Sequence, residues 1–242
     1  MGVGYEVSPL HRISYSEPIP GAEPKKPPDF ITEALRNMGG VWDGRPTRFV
    51  SPSVASILEW RERLNEKYRQ PLGEDLNWDE ESPFERGEDL ATGADMLLHY
   101  VAAVLDQRGS KEARSLVGIK TRPPNSDLDT IFDEAERRGA SGRFPHLLLG
   151  ARYWLPFKRN LIIEEPSWTG NVERYGSLAH LSEEVKQVRN FIADADPDAV
   201  IRGSSDERLD YDVLAAAWQA SDSVSRLCAV ALDRHLPLWT TG

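Results

Sequence analysis

Apolar residues recur at helical spacing along most of the chain. After Ser51 and Pro52, a pair that favours a helix start, apolar positions return every three or four residues until Pro71. The helix opened by Ser177 has the same spacing through Ile192. The pattern predicts further helices over residues 29–37, 87–108 (with Gly109 just beyond its end), 127–138 and 210–234.

Strand signals are fewer and shorter. The sequence predicts strands over 47–50 and 161–163, the second as an inner strand, and one more near 5–8 or 12–15. The first 28 residues contain six prolines and are predicted to form an irregular arm. We therefore expect a mainly α protein with a small β element (α+β), built as an N-terminal arm, 1–28, and a single domain, 29–242.

The charge of the chain is concentrated in two segments. The 242 residues have a net charge of −10. Residues 74–89 alone carry a net charge of −7 and residues 194–212 a net charge of −5, so the rest is slightly basic. Because binding to nucleic acid requires clustered Lys and Arg, this distribution excludes a nucleic-acid-binding protein as the first hypothesis and favours a cationic partner.

Two interpretations of the acidic segments stay open. They can be solvated linkers whose acids lie at helix starts, where the helix dipole stabilises negative charge. They can also be binding surfaces, because Trp78 and Phe84 lie within the first segment, and aromatic anchors surrounded by charge are typical of interfaces. Asp194, Asp196 and Asp198 alternate, a spacing that could also bind Ca²⁺ weakly.

The string from Glu164 to Gly170 has three interpretations. Glu164 and Glu165 follow a predicted strand, where carboxylates can serve a metal-dependent hydrolase together with a histidine. They can equally hold an Arg or Lys of a partner through charge-assisted hydrogen bonds. The third interpretation is a solvent loop in which Trp168 packs as a lid.

The motifs of common enzyme and cofactor sites do not occur in this sequence. There is no phosphate-binding glycine loop, no His-Glu-x-x-His and no cysteine pair. Glu184-Val185-Lys186 matches half of a nuclease motif, but we expect its charged residues to point away from the apolar stripe of their helix. The single cysteine, Cys228, falls in an apolar stripe. We expect no cofactor, no metal, no catalysis, no membrane segment and a cytoplasmic location.

Four short stretches give the chain a resemblance to a known class of proteins. They read YWLP at 153–156, LIIE at 161–164, YGSL at 175–178 and LPLW at 236–239. In these the chain resembles immunity proteins of bacterial polymorphic-toxin and type VI secretion systems, of the kind paired with restriction-endonuclease-like nuclease toxins. The resemblance covers about a third of the chain.

The resemblance implies non-catalytic neutralisation of a secreted toxin. The expected partner is a cognate toxin with a basic surface, bound by a monomer or weak dimer without nucleic acid or membrane. An acidic inhibitor can imitate the polyanion that a nuclease binds. The residues predicted to contact the partner are Asp75, Trp78, Asp79, Glu80, Glu81, Phe84, Glu164, Glu165, Trp168, Asp194, Asp196 and Asp198.

Overall fold

The computed structural model describes residues 3–21, 23, 46–91, 93–204 and 212–241. Within these ranges the protein is α+β and mainly α, with about 55% helix and 15% strand, which confirms the predicted class. The helices are α1 (Val54–Leu72), α2 (Ala94–Ala113), α3 (Asn125–Arg138), α4 (Pro145–Leu148), α5 (Leu178–Ala195), α6 (Pro197–Gly203) and α7 (Val213–Arg234). The strands are β1 (Gly4–Val7), β2 (Tyr15–Pro18), β3 (Thr47–Val50), β4 (Arg86–Asp89), β5 (Tyr153–Leu155), β6 (Ile163–Pro166), β7 (Val172–Ser177) and β8 (Leu238–Thr241).

Six of the strands form one mixed sheet. Their order is β4-β1-β8-β5-β7-β6, and β5 with β7 is its parallel pair. Strands β2 and β3 form a separate antiparallel pair, and β3 coincides with the strand predicted at 47–50. The β element is therefore larger than the sequence predicted, because several strands have only three or four residues and too few positions to show alternation.

The N-terminal segment belongs to this sheet. β1 pairs with both β4 and β8, and Tyr5 and Val7 are buried. Leu10 and Ile13 of the same segment are buried in a second cluster, and residues 10–12 form a 3-10 turn. The description of residues 1–28 as an irregular arm is therefore wrong for its first part, because residues 4–7 are a strand of the main sheet. This strand lies where the sequence predicted one of its two alternatives, near 5–8.

The long helices pack around α7. Its apolar residues face α2 and α5, and together these three helices contribute most of the larger core. Short polar side chains begin the helices: Ser177 accepts a hydrogen bond from the amide of His180, and Asp212 accepts one from the amide of Ala215. Cys228 is buried in this core, and burial raises the pKa of its thiol.

Several predicted boundaries need correction. The helix predicted over 87–108 begins at Ala94, because residues 86–89 pair with β1 as an edge strand. Gly109 has a φ of 78° and interrupts the helix where its end was predicted. The strand predicted at 161–163 begins at Ile163 and lies at the edge of the sheet, not inside it.

Two further predictions concern helix ends. Helix α1 runs through Pro71, whose missing amide falls in the last turn, and ends at Gly73 with a φ of 71°. The helix predicted over 127–138 spans 125–138 and ends at Gly139, which has a positive φ. The predicted helix over 29–37 lies outside the described residues, as do Asp206, Glu207 and Asp210 of the second acidic segment.

Candidate partner-binding site

The acidic loop between α1 and β4 is anchored to the core by two of its predicted contact residues. Trp78 is 3% exposed and Glu80 is also 3% exposed, so neither presents its side chain to a partner. The Glu80 carboxylate accepts hydrogen bonds from the backbone amides of Leu10 at 3.0 Å and His11 at 3.3 Å, and from the Trp78 indole at 2.7 Å. These two predicted contact residues therefore hold the loop in place and lie beneath its accessible surface.

Helix α1 supports the same loop from the other side. The Arg61 guanidinium donates to the Trp78 carbonyl at 2.6 Å and lies 4.8 Å from the centre of the Trp78 ring. Asn65 donates to the Leu76 carbonyl and accepts from the Leu76 amide, and its own side chain is buried. These bonds fix the loop backbone from residue 76 to residue 80.

The other acids of the loop lie on its outer side. Asp75, Asp79, Glu81 and Glu85 are exposed. Asp75 pairs with Arg69 at 2.5 Å and Glu85 with Arg12 at 2.6 Å, and Asp79 accepts from the amide of Glu81 at 3.0 Å.

Phe84, the remaining predicted contact residue of this loop, is half-buried. Its ring packs against the larger core, and the Arg234 guanidinium lies 5.1 Å from the ring centre. The ring therefore serves mainly to anchor the end of the loop.

The second predicted segment lies on β6 and the turn after it. Glu164 is exposed and pairs with Arg174 at 3.3 Å. Glu165 accepts hydrogen bonds from the Tyr68 hydroxyl at 2.6 Å and from Lys67, and the Lys67 bond lowers the pKa of this carboxyl. No histidine is among these contacts, so the described residues do not form the carboxylate and histidine set that the hydrolase interpretation requires.

Trp60 joins the two predicted segments, and sequence reasoning did not select it. Its ring centre lies 6.3 Å from that of Trp78 and 5.2 Å from that of Trp168, and its indole donates to the Pro166 carbonyl at 3.0 Å. Trp60 stands three residues after Ile57, which also faces the core. That spacing is a signal from which burial of Trp60 could have been predicted, but no local signal showed that Trp60 would bring 74–89 and 164–170 to the two flanks of one helix.

The acids after residue 193 are held by other elements. Asp194 pairs with Arg114, and Asp198 is exposed. Asp196 is 8% exposed, begins α6 by accepting from the Ala199 amide, and pairs with Arg202 at 3.1 Å. Asp196 thus matches the interpretation of acids at helix starts. Among the described residues, no group of three His, Cys, Asp or Glu side chains could hold a metal ion.

A buried acid of α5 was predicted to be exposed. Glu184 is 5% exposed and accepts from the amides of His146 at 3.2 Å and Leu147 at 2.8 Å, so the prediction for this residue is wrong. Burial raises its pKa to about 8, against the lowering effect of the two amide bonds. Burial also lowers the pKa of His146 to about 4. The Ser177 amide donates to Nδ1 of this ring, which places its proton on Nε2, toward Asn160.

These two groups predict how stability changes with pH. The raised pKa of Glu184 gives stability that is lost as pH rises from about 4.5 to about 8, and the lowered pKa of His146 gives stability that is lost as pH falls from about 6.5 to about 4. Only Glu184 acts between pH 6.5 and pH 8. We expect it to lower the free energy of unfolding by about 2 kcal/mol over that interval, measured by urea unfolding at each pH.

The matched variants are Glu184→Gln and Glu183→Gln. Glu183 is an exposed neighbour on the same helix. We expect the first variant to remove the decrease between pH 6.5 and 8 and the second to retain it. An equal change in the free energy of unfolding with pH in the two variants would show that Glu184 is ionised in the folded protein at neutral pH.

Comparison of the chain with protein-family models, with curated proteins and with solved structures finds no match. Within the described ranges, no helix combines the length and the apolar character needed to cross a bilayer.

Proposed function

We propose that this chain is an immunity-type protein that binds and neutralises a cognate bacterial toxin in the cytoplasm. The partner would be a secreted effector with a basic surface, such as a nuclease of a type VI or polymorphic-toxin system. The observation that carries the proposal is the construction of the acidic loop between α1 and β4, in which a buried Trp and a buried Glu fix a backbone on which Asp75, Asp79, Glu81 and Glu85 are exposed. The resemblance described above supplies the class of partner.

The anchored loop favours binding for a physical reason. Ordering a flexible loop on association costs free energy, and a loop that is already fixed avoids most of that cost. Its exposed carboxylates also attract a cationic partner over several ångströms and accelerate encounter. Asp75 and Glu85 are paired with surface arginines, but exposed ion pairs contribute only about 0–1 kcal/mol, so a partner's cations can replace those arginines.

The proposal changes the predicted contact set of this loop. Asp75, Asp79 and Glu81 stay candidate contacts, and Glu85 is added because it is exposed, whereas Trp78 and Glu80 position these four residues. Charge reversal of the outer acids is therefore the informative change. A lysine at position 80 would test folding and not binding, because its ammonium group cannot accept hydrogen bonds from the buried amides that Glu80 satisfies.

The test uses the product of the gene adjacent to that of this chain. We expect co-expression of the two to restore growth that the adjacent product alone prevents. With the purified pair, the double variant Asp79→Lys/Glu81→Lys should lower the association rate about tenfold or more at about 0.02 M salt and much less at about 0.5 M salt. Biolayer interferometry measures the association rate at both salt concentrations.

The control is the double variant Asp129→Lys/Asp133→Lys. Both residues are exposed on α3, and the replacement changes the net charge by the same amount. We expect the control to retain most of the wild-type association rate. An equal decrease in the association rate of both double variants would mean that the overall charge of the chain, and not the loop, governs encounter. Absence of growth protection by the wild-type chain would overturn the proposed function.

A further inference from the structure

A groove lies on the flank of α1 opposite the acidic loop. It is formed by one side of α1 and the turn between β6 and β7, and it is a half-open cleft of about 580 Å³. This volume is in the range of small-molecule sites. The lining that matters here consists of Trp60, Arg63, Leu64, Lys67, Pro166 and Trp168.

Among the described residues, one cation of the groove has no ion-pair partner and one neighbouring indole has no hydrogen-bond acceptor. The indole Nε1 of Trp168 is buried and has no hydrogen-bond partner among the described residues. Because this N–H is enclosed, it does not reach a ligand in the groove, but its resonance reports on the packing of the Trp168 ring. Arg63 is exposed at the groove, and in the described part of the chain no carboxylate lies within ion-pair distance of it.

The charges of the groove select the sign of a ligand. Arg63 and Lys67 contribute two positive charges and Glu165 one negative charge. Glu165 already accepts hydrogen bonds from Lys67 and Tyr68, which occupies it. A cationic ligand would therefore be repelled by the net positive charge of the groove, whereas an anionic ligand would be attracted to Arg63.

From these observations we propose that the groove is a binding site for a small aromatic carboxylate. The ring packs against Pro166 and the partly exposed Trp168, and the carboxylate accepts hydrogen bonds from Arg63. Aromatic side chains favour a planar apolar body, and a guanidinium favours the two oxygens of a carboxylate. This site is separate from the loop surface and does not depend on the proposed function.

The test is a titration with three probes of the same ring system. The probes are 2-naphthoate, 2-naphthylmethanol and 2-naphthylmethylammonium, added to the ¹⁵N-labelled chain and followed by the indole N–H resonances of its seven tryptophans. The variant Trp168→Phe identifies one of these resonances. We expect 2-naphthoate to move that resonance in a saturable way and to bind at least about tenfold more tightly than the alcohol, while the amine binds most weakly.

Matched arginine variants locate the carboxylate. We expect Arg63→Gln to weaken 2-naphthoate about tenfold and to leave the alcohol unchanged. Arg122→Gln, a change at an exposed arginine distant in sequence, should leave both unchanged. Equal affinity of acid and alcohol, tighter binding of the amine, or no movement of the Trp168 resonance would each overturn the proposal.

The loop variant separates this proposal from the proposed function. Asp79→Lys/Glu81→Lys should leave the affinity for 2-naphthoate within about twofold of wild type, because neither residue lines the groove. A groove that binds no probe would leave the toxin hypothesis intact.

Discussion

Glu80→Gln is expected to lower the free energy of unfolding by about 3 kcal/mol. The carboxylate of Glu80 accepts from two backbone amides and one indole, all in or near the core. A glutamine has only one acceptor oxygen, so its amide group would face at least one of these donors. Each buried donor left without an acceptor costs about 1–3 kcal/mol, and the weakened charge-assisted bonds add to that cost.

Glu81→Gln is the matched control at the next position. Glu81 is exposed, so the same chemical change should alter the free energy of unfolding by no more than about 0.5 kcal/mol. Urea unfolding followed by far-ultraviolet circular dichroism measures both, provided that the two variants share one m-value. Similar free energies of unfolding for the two variants would mean that Glu80 does not anchor the loop. The proposed contact surface would then lose its structural basis.

Trp60→Ala is expected to have a still larger effect, about 4 kcal/mol. Trp60 is 1% exposed and fills the space between the acidic loop and the turn after β6. Its removal leaves a cavity, and replacement of a buried Trp by Ala typically costs about 3–5 kcal/mol. The Pro166 carbonyl also loses its indole donor.

The control for this prediction is Leu58→Ala on the same helix. Leu58 is 39% exposed, so its truncation should cost less than about 1 kcal/mol, while the change in helix propensity is small in both variants. Thermal and urea unfolding give the two values. A cost for Trp60→Ala close to that for Leu58→Ala would contradict the role of Trp60 as the residue that holds both flanks of α1.

Glu80 and Trp60 affect function through the positions of the residues around them. Glu80 and Trp60 are almost fully buried, yet the outer acids and the groove keep their places only if these two residues do. We therefore expect milder variants, such as Trp60→Phe, to weaken binding at both places together. Variants of the outer acids should affect the loop surface alone.

The sequence by itself determined the features that depend on near neighbours. The α+β class, the helix opened by Ser177 and the helix ends at Gly109 and Gly139 follow from spacing, from side chains that bond amides two or three residues ahead, and from the freedom of glycine to adopt a positive φ. The concentration of charge in 74–89 is likewise a property of the sequence.

Only the tertiary structure decided which acids are exposed and which segments meet. Glu80 and Glu81 are the same residue type in adjacent positions, and Glu80 is buried because its acceptor atoms meet the amides of residues 10 and 11, about 70 positions away in the chain. Residues 86–89 are a strand and not a helix because β1 supplies their hydrogen-bond partners. Strand pairing and burial of this kind depend on contacts between distant segments, which local spacing does not encode.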